Sequence, residues 1–335
     1  MIKFLLIVSV ALLLLLGYFF YSPSPKAPIQ ELPSVQPAIS GAKFTFAVVG
    51  DTRKANPFER LRMTIVNNVR QVIIDKIAEQ NPSLLFNTGD LVLKGSKESL
   101  WDDFDKMNQV FKDKKIPYYP VLGNHEYKGG KKGEEDYFEH FPSLNNQHWY
   151  TITYSNSAFI MLDSNFDKLT KEENAKQIIW LEETLTKYQN DSAIAFIFVF
   201  FHHPPFTNSR YAKPDKDVQE KFVPVFERFS KIKYVFAGHV HSYERFIVNG
   251  INYIVTGGGG APLVGLLPSN RSNYSDEYAP AKPRGKPAGS PALMRGTHFC
   301  LVTVGSDFIE LKTEHIDPVK LNWSEGDDFR QEYLE

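Results

Sequence analysis

Tyr234-Val235-Phe236-Ala237-Gly238-His239-Val240-His241 is the stretch on which the fold turns. A short apolar run of β-forming residues ends in a glycine, and two histidines one residue apart follow it. Alternate residues of an extended segment project to the same side, so His239 and His241 can face one site. Other segments share this construction. Phe46-Ala47-Val48-Val49 runs into Gly50-Asp51, and Leu84-Leu85-Phe86 into Thr88-Gly89-Asp90. Tyr119-Pro120-Val121-Leu122 runs into Gly123-Asn124-His125-Glu126, and Ala195 to Phe201 into His202-His203-Pro204. In an open α/β sheet the C-terminal strand edges gather at one crevice, so residues far apart in sequence can meet there. The glycines let the backbone turn sharply and approach a ligand closely.

The rest of the chain supplies the layers such a crevice needs. Ile65, Val69, Val72, Ile73 and Ile77 recur at helical spacing between the first two strand patterns. Further helices are expected around Glu98 to Lys112, Asn174 to Tyr188 and Lys216 to Phe229. Strand, helix, strand order through the first half implies parallel pairing with helices outside. Back-to-back strand patterns after Trp149 and after Phe246 imply antiparallel hairpins. The fold class is therefore mixed α/β.

Singly, each polar strand end is ordinary turn chemistry. Their order is specific: GD, GD, GNHE, HHP and then GHVHSYER. This succession resembles the calcineurin-like metallophosphoesterase superfamily, and GHVHSYER resembles its purple acid phosphatase branch. The resemblance runs from Lys43 to Ile316 and implies a four-layer α/β/β/α sandwich with two mixed β-sheets. It implies two divalent or trivalent metal ions (Fe, Mn or Zn). Asp51 would bind the first and Asp90 bridge both; Asn124, His202 and His239 would complete the second, and His241 would return to the first. A shared carboxylate offsets charge between two cations, and imidazole suits these metals. The implied reaction is hydrolysis of a small-molecule phosphate ester by metal-bound hydroxide. His125 would contact the phosphate and protonate the leaving group; His203 has no fixed role in the family and, directly after a ligand, reads as a wall of the substrate pocket.

Two positions depart from the pattern. Arg53 stands two residues after Asp51, where many members outside the purple branch place a histidine ligand; it could contact substrate phosphate or form a structural ion pair. Leu93 stands three residues after Asp90, where purple acid phosphatases place a tyrosine. A first metal with three protein ligands and no purple colour is expected. Thr256 to Gly260 lacks the Lys-Ser/Thr of a P-loop and reads as a turn needing positive φ beneath the site. Asp163 reads as a turn or supporting residue, and Glu244 and Arg245 as structural parts of their motif.

The 335-residue chain has 42% hydrophobic and 14% aromatic residues, enough for a sizeable core. A formal charge of −1 provides no global field to gather nucleic acid, so no nucleic-acid binding is expected beyond a possible nucleotide substrate. Cys300 is the only cysteine and reads as a small buried residue, with no intrachain disulfide possible. Phe4 to Tyr21 carries no charge and would make roughly 27 Å of helix, near the thickness of a bilayer core.

The expected organisation is a membrane anchor or signal segment at 1–21, a Pro-rich linker at 22–42, a catalytic domain at 43–316 and a C-terminal tail at 317–335. The catalytic domain would be exported to the periplasmic or extracellular side, and secreted if the segment is cleaved. The Gly-, Pro- and Ser-rich stretch from Ala261 to Gly296 is expected as a long loop bordering the site. A non-catalytic, surface-displayed binding module on the same fold is the alternative function.

Overall fold

The computed structural model describes residues 42–62, 69–267, 271–278, 296–317 and 320–333. The anchor and almost all of the linker lie outside them, as do Lys282, Arg284, Lys286 and Arg295 of the long loop. Among the described residues, no helix is long and apolar enough to cross a membrane.

The strands are β1 (Phe44–Val49), β2 (Leu84–Asn87), β3 (Tyr118–Pro120), β4 (Tyr150–Tyr154), β5 (Ser157–Met161), β6 (Phe196–Phe201), β7 (Ile232–Ala237), β8 (Tyr243–Val248), β9 (Ile251–Thr256), β10 (Thr297–Val304), β11 (Phe308–Ile316) and β12 (Trp323–Glu332). The helices are α1 (Pro57–Arg62), α2 (Val69–Gln80), α3 (Glu98–Asp113), α4 (Lys131–His140), α5 (Lys171–Asn190), α6 (Lys216–Lys221) and α7 (Val223–Phe226). Two six-stranded sheets form, ordered β12-β11-β10-β1-β2-β3 and β4-β5-β6-β7-β9-β8. Parallel pairing joins β1, β2 and β3, and likewise β5, β6, β7 and β9; the hairpins β4–β5 and β8–β9 are antiparallel. Both sheets are mixed, as the resemblance implies.

Strand alternation sorts the side chains into layers. Phe46, Phe86, Phe159, Phe198, Phe200 and Phe236 point into the space between the sheets. Ala47, Val49 and Leu85 pack on the other face of the first sheet with α2 and α3. Ile160, Ile197, Val199 and Val235 face outward from the second sheet toward α5, α6 and α7. The result is α/β/β/α. The central layer is aromatic: Phe86 stacks on Phe200 with centroids 4.4 Å apart, and Phe46 meets Phe198 edge-on at 5.0 Å. Such contacts add about 0.5–1.5 kcal/mol each beyond area burial, and they hold the two sheets in fixed register beneath the crevice.

Three elements differ from the sequence expectation. α4 interrupts the polar stretch after the GNHE motif, although its Gly133 disfavours helix; Tyr137 and Phe138 bury and anchor it. The expected helix from Lys216 to Phe229 is two short ones, because Pro224 lacks the N–H that would continue the first. Residues of the expected tail instead form β12, the edge of the first sheet.

Candidate metal centre

The C-terminal ends of β1, β2, β3, β6 and β7 converge, each delivering the polar residue that follows its apolar run. Asp51, Asp90 and His239 all adopt left-handed backbone conformations, with φ of 58°, 56° and 66°. Non-glycine residues pay strain for this geometry, and such residues cluster at functional sites. Gly257 shows why small residues surround them: a Cβ there would lie 2.6 Å from Asp51 Oδ2 and 2.4 Å from the Val240 carbonyl. Of the glycine run, Gly260 has positive φ, at 116°, whereas Gly257 is required by close approach. The run thus serves as the floor beneath Asp51 more than as a turn.

Two sets of donor atoms face each other. In the first, the His241 ring gives Nδ1–H to the Pro262 carbonyl at 2.6 Å, which turns its Nε2 toward Asp51 Oδ1, 3.2 Å away. That carboxylate oxygen is buried without a hydrogen-bond partner. In the second, His202 gives Nδ1–H to the Thr88 carbonyl at 2.8 Å. Its Nε2 then lies 3.1 Å from Asn124 Oδ1, 3.4 Å from Asp90 Oδ1 and 3.3 Å from His239 Nδ1. His239 Nδ1 is 3.2 Å from the same Asn124 oxygen. Asp90 groups with Asp51 and His241 while also reaching His202, which places it between the sets.

Lone pairs converging on lone pairs repel unless a cation lies among them. Donor atoms ~2.0–2.2 Å from a tetrahedral cation sit about 3.4 Å from one another, close to the spacings here. The residues therefore fit two cations, with Asp51 and His241 toward one, Asn124, His202 and His239 toward the other, and Asp90 shared. Carbonyl anchoring of the distal ring nitrogens of His241 and His202 is the arrangement that orients histidine ligands.

The electrostatics agree. Burial acts against ionisation of Asp90, but His202, His125 and Arg53 outweigh it and hold the carboxyl well below its ordinary range. Burial lowers the His202 pKa, and the charges of Asp90 and Asp51 more than reverse this. Asp90 and Asp51 thus favour positive charge at this position. Burial and neighbouring His202 push His239 well below the usual imidazole range.

His125 gives Nδ1–H to the Leu93 carbonyl at 2.6 Å, and its Nε2 lies 2.5 Å from Lys128 Nζ and 3.7 Å from Asp90 Oδ2. Burial, against the pull of Asp90, brings its pKa to about 4. Arg53 is buried, with Nη1 and Nη2 on Glu59 at 3.1 and 2.9 Å; Nε alone faces Asp90, at 3.7 Å from Oδ2. The ion-pair alternative for Arg53 thus has its partner, Glu59. Leu93, in the place of the absent tyrosine, contributes its carbonyl to His125 instead.

Several contributors lie outside the expected ligand set. Glu126 is fully buried and accepts the backbone N–H groups of Asp90, Leu91, Val92 and Gly123, tying two motif loops together. Burial and the Asp90 charge push its carboxyl up to about 7. Asp163 is a buried hub that accepts from Tyr127 at 2.5 Å and from the backbone and side chain of Asn165 at 2.8 Å each. Ser164 braces the backbone of His202 and His203. Lys128 and Ser164 gave no sequence signal beyond adjacency to a motif or a strand end. Glu244 accepts from Thr207 and Asn208, the structural role its motif suggested.

The family model for calcineurin-like phosphoesterases matches residues 44–243. The chain belongs to that family. Within it, this phosphoesterase-family chain is 24% identical to a phosphoenolpyruvate phosphatase of Allium cepa, over 69% of its own length and 47% of the relative's. It is 26% identical to a probable inactive purple acid phosphatase 24 of Arabidopsis thaliana, over 58% of its length and 34% of the relative's. The chain thus spans about half or less of these curated relatives. The purple acid phosphatase structure from yellow lupin (Lupinus luteus) seeds superposes with a TM-score of 0.64 at 17% identity, covering 90% of this chain and 55% of that one. The superposition shows that the chain shares the fold of the lupin protein.

Proposed function

We propose that the protein is a dinuclear metal-dependent hydrolase of small-molecule phosphate esters, with its catalytic domain outside the cytoplasmic membrane. The observation that carries this reading is the double set of mutually facing lone pairs on Asp51, His241, Asp90, Asn124, His202 and His239. Fe, Mn or Zn would suit these imidazole and carboxylate donors. When bound, such a pair would acidify a water and neutralise charge developing on phosphoryl oxygens.

The chain's own residues would do the rest. His125, anchored through Nδ1 on Leu93, turns Nε2 toward the site and accepts there from the Lys128 ammonium; a proton passed from Lys128 Nζ to Nε2 would then go to the leaving oxygen, leaving Lys128 as the neutral amine. Arg53, fixed by Glu59, holds positive charge beside Asp90. Pro262 and Val264 bring the start of the long loop against His241, which supports its role at the site border. Some relatives are named as inactive, but the complete donor set here favours turnover over a binding module. The uncharged run Phe4 to Tyr21 supports export and anchoring.

The test is a panel of aryl monoesters, diesters and nucleotides run with the chain in defined Mn, Zn and Fe. Turnover that is lost in Asp90→Asn and His239→Ala supports the reading. A chain that binds two metals yet turns over nothing on the panel would leave the binding module.

A further inference from the structure

His203 stands among the ring nitrogens of the second donor set: one of its nitrogens lies within 4.8 Å of those of His202 and His239. Its ring centroid is 4.7 Å from that of His239. On position alone it would be a fourth ligand. Ser164, just past the end of β5 on the strand next to β6, decides otherwise. Its Oγ accepts two backbone N–H groups, those of His202 at 3.2 Å and His203 at 2.9 Å. It also lies 2.9 Å from His203 Nδ1. A serine hydroxyl has two lone pairs and one proton. With both lone pairs engaged, its third contact can only be donation, so Nδ1 accepts.

We infer that Ser164 locks His203 in the Nε2–H tautomer, making it a hydrogen-bond donor to a phosphoryl oxygen of the substrate and not a metal ligand. Both ring nitrogens are closed to a cation: Nδ1 by the Ser164 proton, Nε2 by its own. Nε2–H has no acceptor among the described residues, and the ring sits beside the proposed second metal, where a phosphoryl group would be held. The donor thus complements the lone-pair sets around it, meeting the anion while they meet the cations. Ser164 acts through His203 and is a positioning residue. This assignment deepens the proposed function and depends on it for the identity of the acceptor, whereas the tautomer rests on the serine geometry alone.

Two measurements test it. In 15N-histidine-labelled protein without metal, the His203 resonances are expected to show a pyridine-type Nδ1 and a pyrrole-type Nε2; Ser164→Ala should lose this preference and Ser164→Thr retain it. In manganese-loaded protein, His203→Ala should keep the wild-type metal content while affinity for inorganic phosphate falls about 10-fold, the scale of one lost hydrogen bond to a charged group. His203→Gln, which retains an N–H donor, should recover most of that loss. A pyrrole-type Nδ1, loss of metal from His203→Ala, or unchanged phosphate affinity would overturn the inference. Should the wild type take up no metal, the dinuclear reading falls and the substrate role with it, while the labelled metal-free chain still decides the tautomer.

Discussion

The Glu126 carboxylate accepts the backbone N–H of Asp90 at 2.9 Å, and it holds that residue in its left-handed conformation. The same carboxylate takes Gly123, Leu91 and Val92, so one buried side chain sets the relative position of the loops that carry Asp90 and Asn124. Glu126→Gln would turn an NH2 group toward backbone donors. We expect a stability loss of about 2–4 kcal/mol, from one or two buried groups left unpaired. Metal affinity should fall roughly 10- to 100-fold, as for other changes behind a ligand. Urea unfolding and manganese titration check the two; a neutral effect on both would remove Glu126 from the supporting frame.

Cations should stabilise the fold and displace protons. At a free metal concentration 100 times Kd, linkage gives about 2.7 kcal/mol, equivalent to a Tm increase of roughly 5 °C for a domain of this size. His202 carries a raised pKa in the cation-free chain because Asp90 and Asp51 overcome the burial penalty. A metal must displace that proton, so affinity should weaken as pH falls through the raised value. Calorimetric titration in buffers of different ionisation heat would show proton release. Asp90→Asn should abolish both the Tm increase and the release.

His148 is expected to make stability depend on pH. Its Nδ1 lies 3.1 Å from Asp163 and its Nε2 3.1 Å from Glu134, with the Tyr127 hydroxyl at 2.8 Å from Nδ1. Burial lowers its pKa, but the Asp163 hydrogen bond and the charges of Asp163, Glu134 and Glu173 outweigh this and raise it. A raised imidazole pKa favours the folded state fully below the unfolded value near 6.5, and that contribution is lost as pH rises through the folded value. Relative to the wild type, His148→Gln should therefore cost most at about pH 5.5 and least at about pH 8.5. Urea midpoints across this range measure it; a cost independent of pH would mean that folding leaves the imidazole pKa unshifted, and one that rose with pH would mean that the ring is held neutral in the fold.

Legibility in the sequence followed the physics of each feature. Phe46, Phe198 and Phe236 lie in continuous apolar runs of the kind buried parallel strands produce, and the residues ending those runs were readable because a strand must deliver them to one edge. Ser164 and Glu126 were not readable in their roles, because their partners are backbone N–H groups brought near by the tertiary fold and leave no spacing pattern. Glu59 was hidden for a related reason: it pairs with Arg53 across a turn of ordinary composition. α4 and β12 were missed because polar residues dominate both. Their burial is confined to a few positions, such as Tyr137 and Asp327, and a handful of anchors is too sparse to show as periodicity.

Asp327 tests whether β12 belongs to the folding unit of the site. It accepts from the Tyr243 hydroxyl at 2.9 Å and from Arg245 Nε at 2.6 Å, and the Arg245 guanidinium lies 3.9 Å from the centroid of Phe329. Tyr243 and Arg245 open β8 immediately after the His241 loop, so this edge strand clamps the strand that leaves the metal centre. Removing one partner of a buried charge pair leaves the other uncompensated, at a cost of about 3–5 kcal/mol. Asp327→Ala should therefore destabilise the whole domain by that amount in urea unfolding, with one cooperative transition. A loss below about 1 kcal/mol, the range of exposed pairs, would mean that β12 is a loosely attached edge, and the metal centre would then be supported without it.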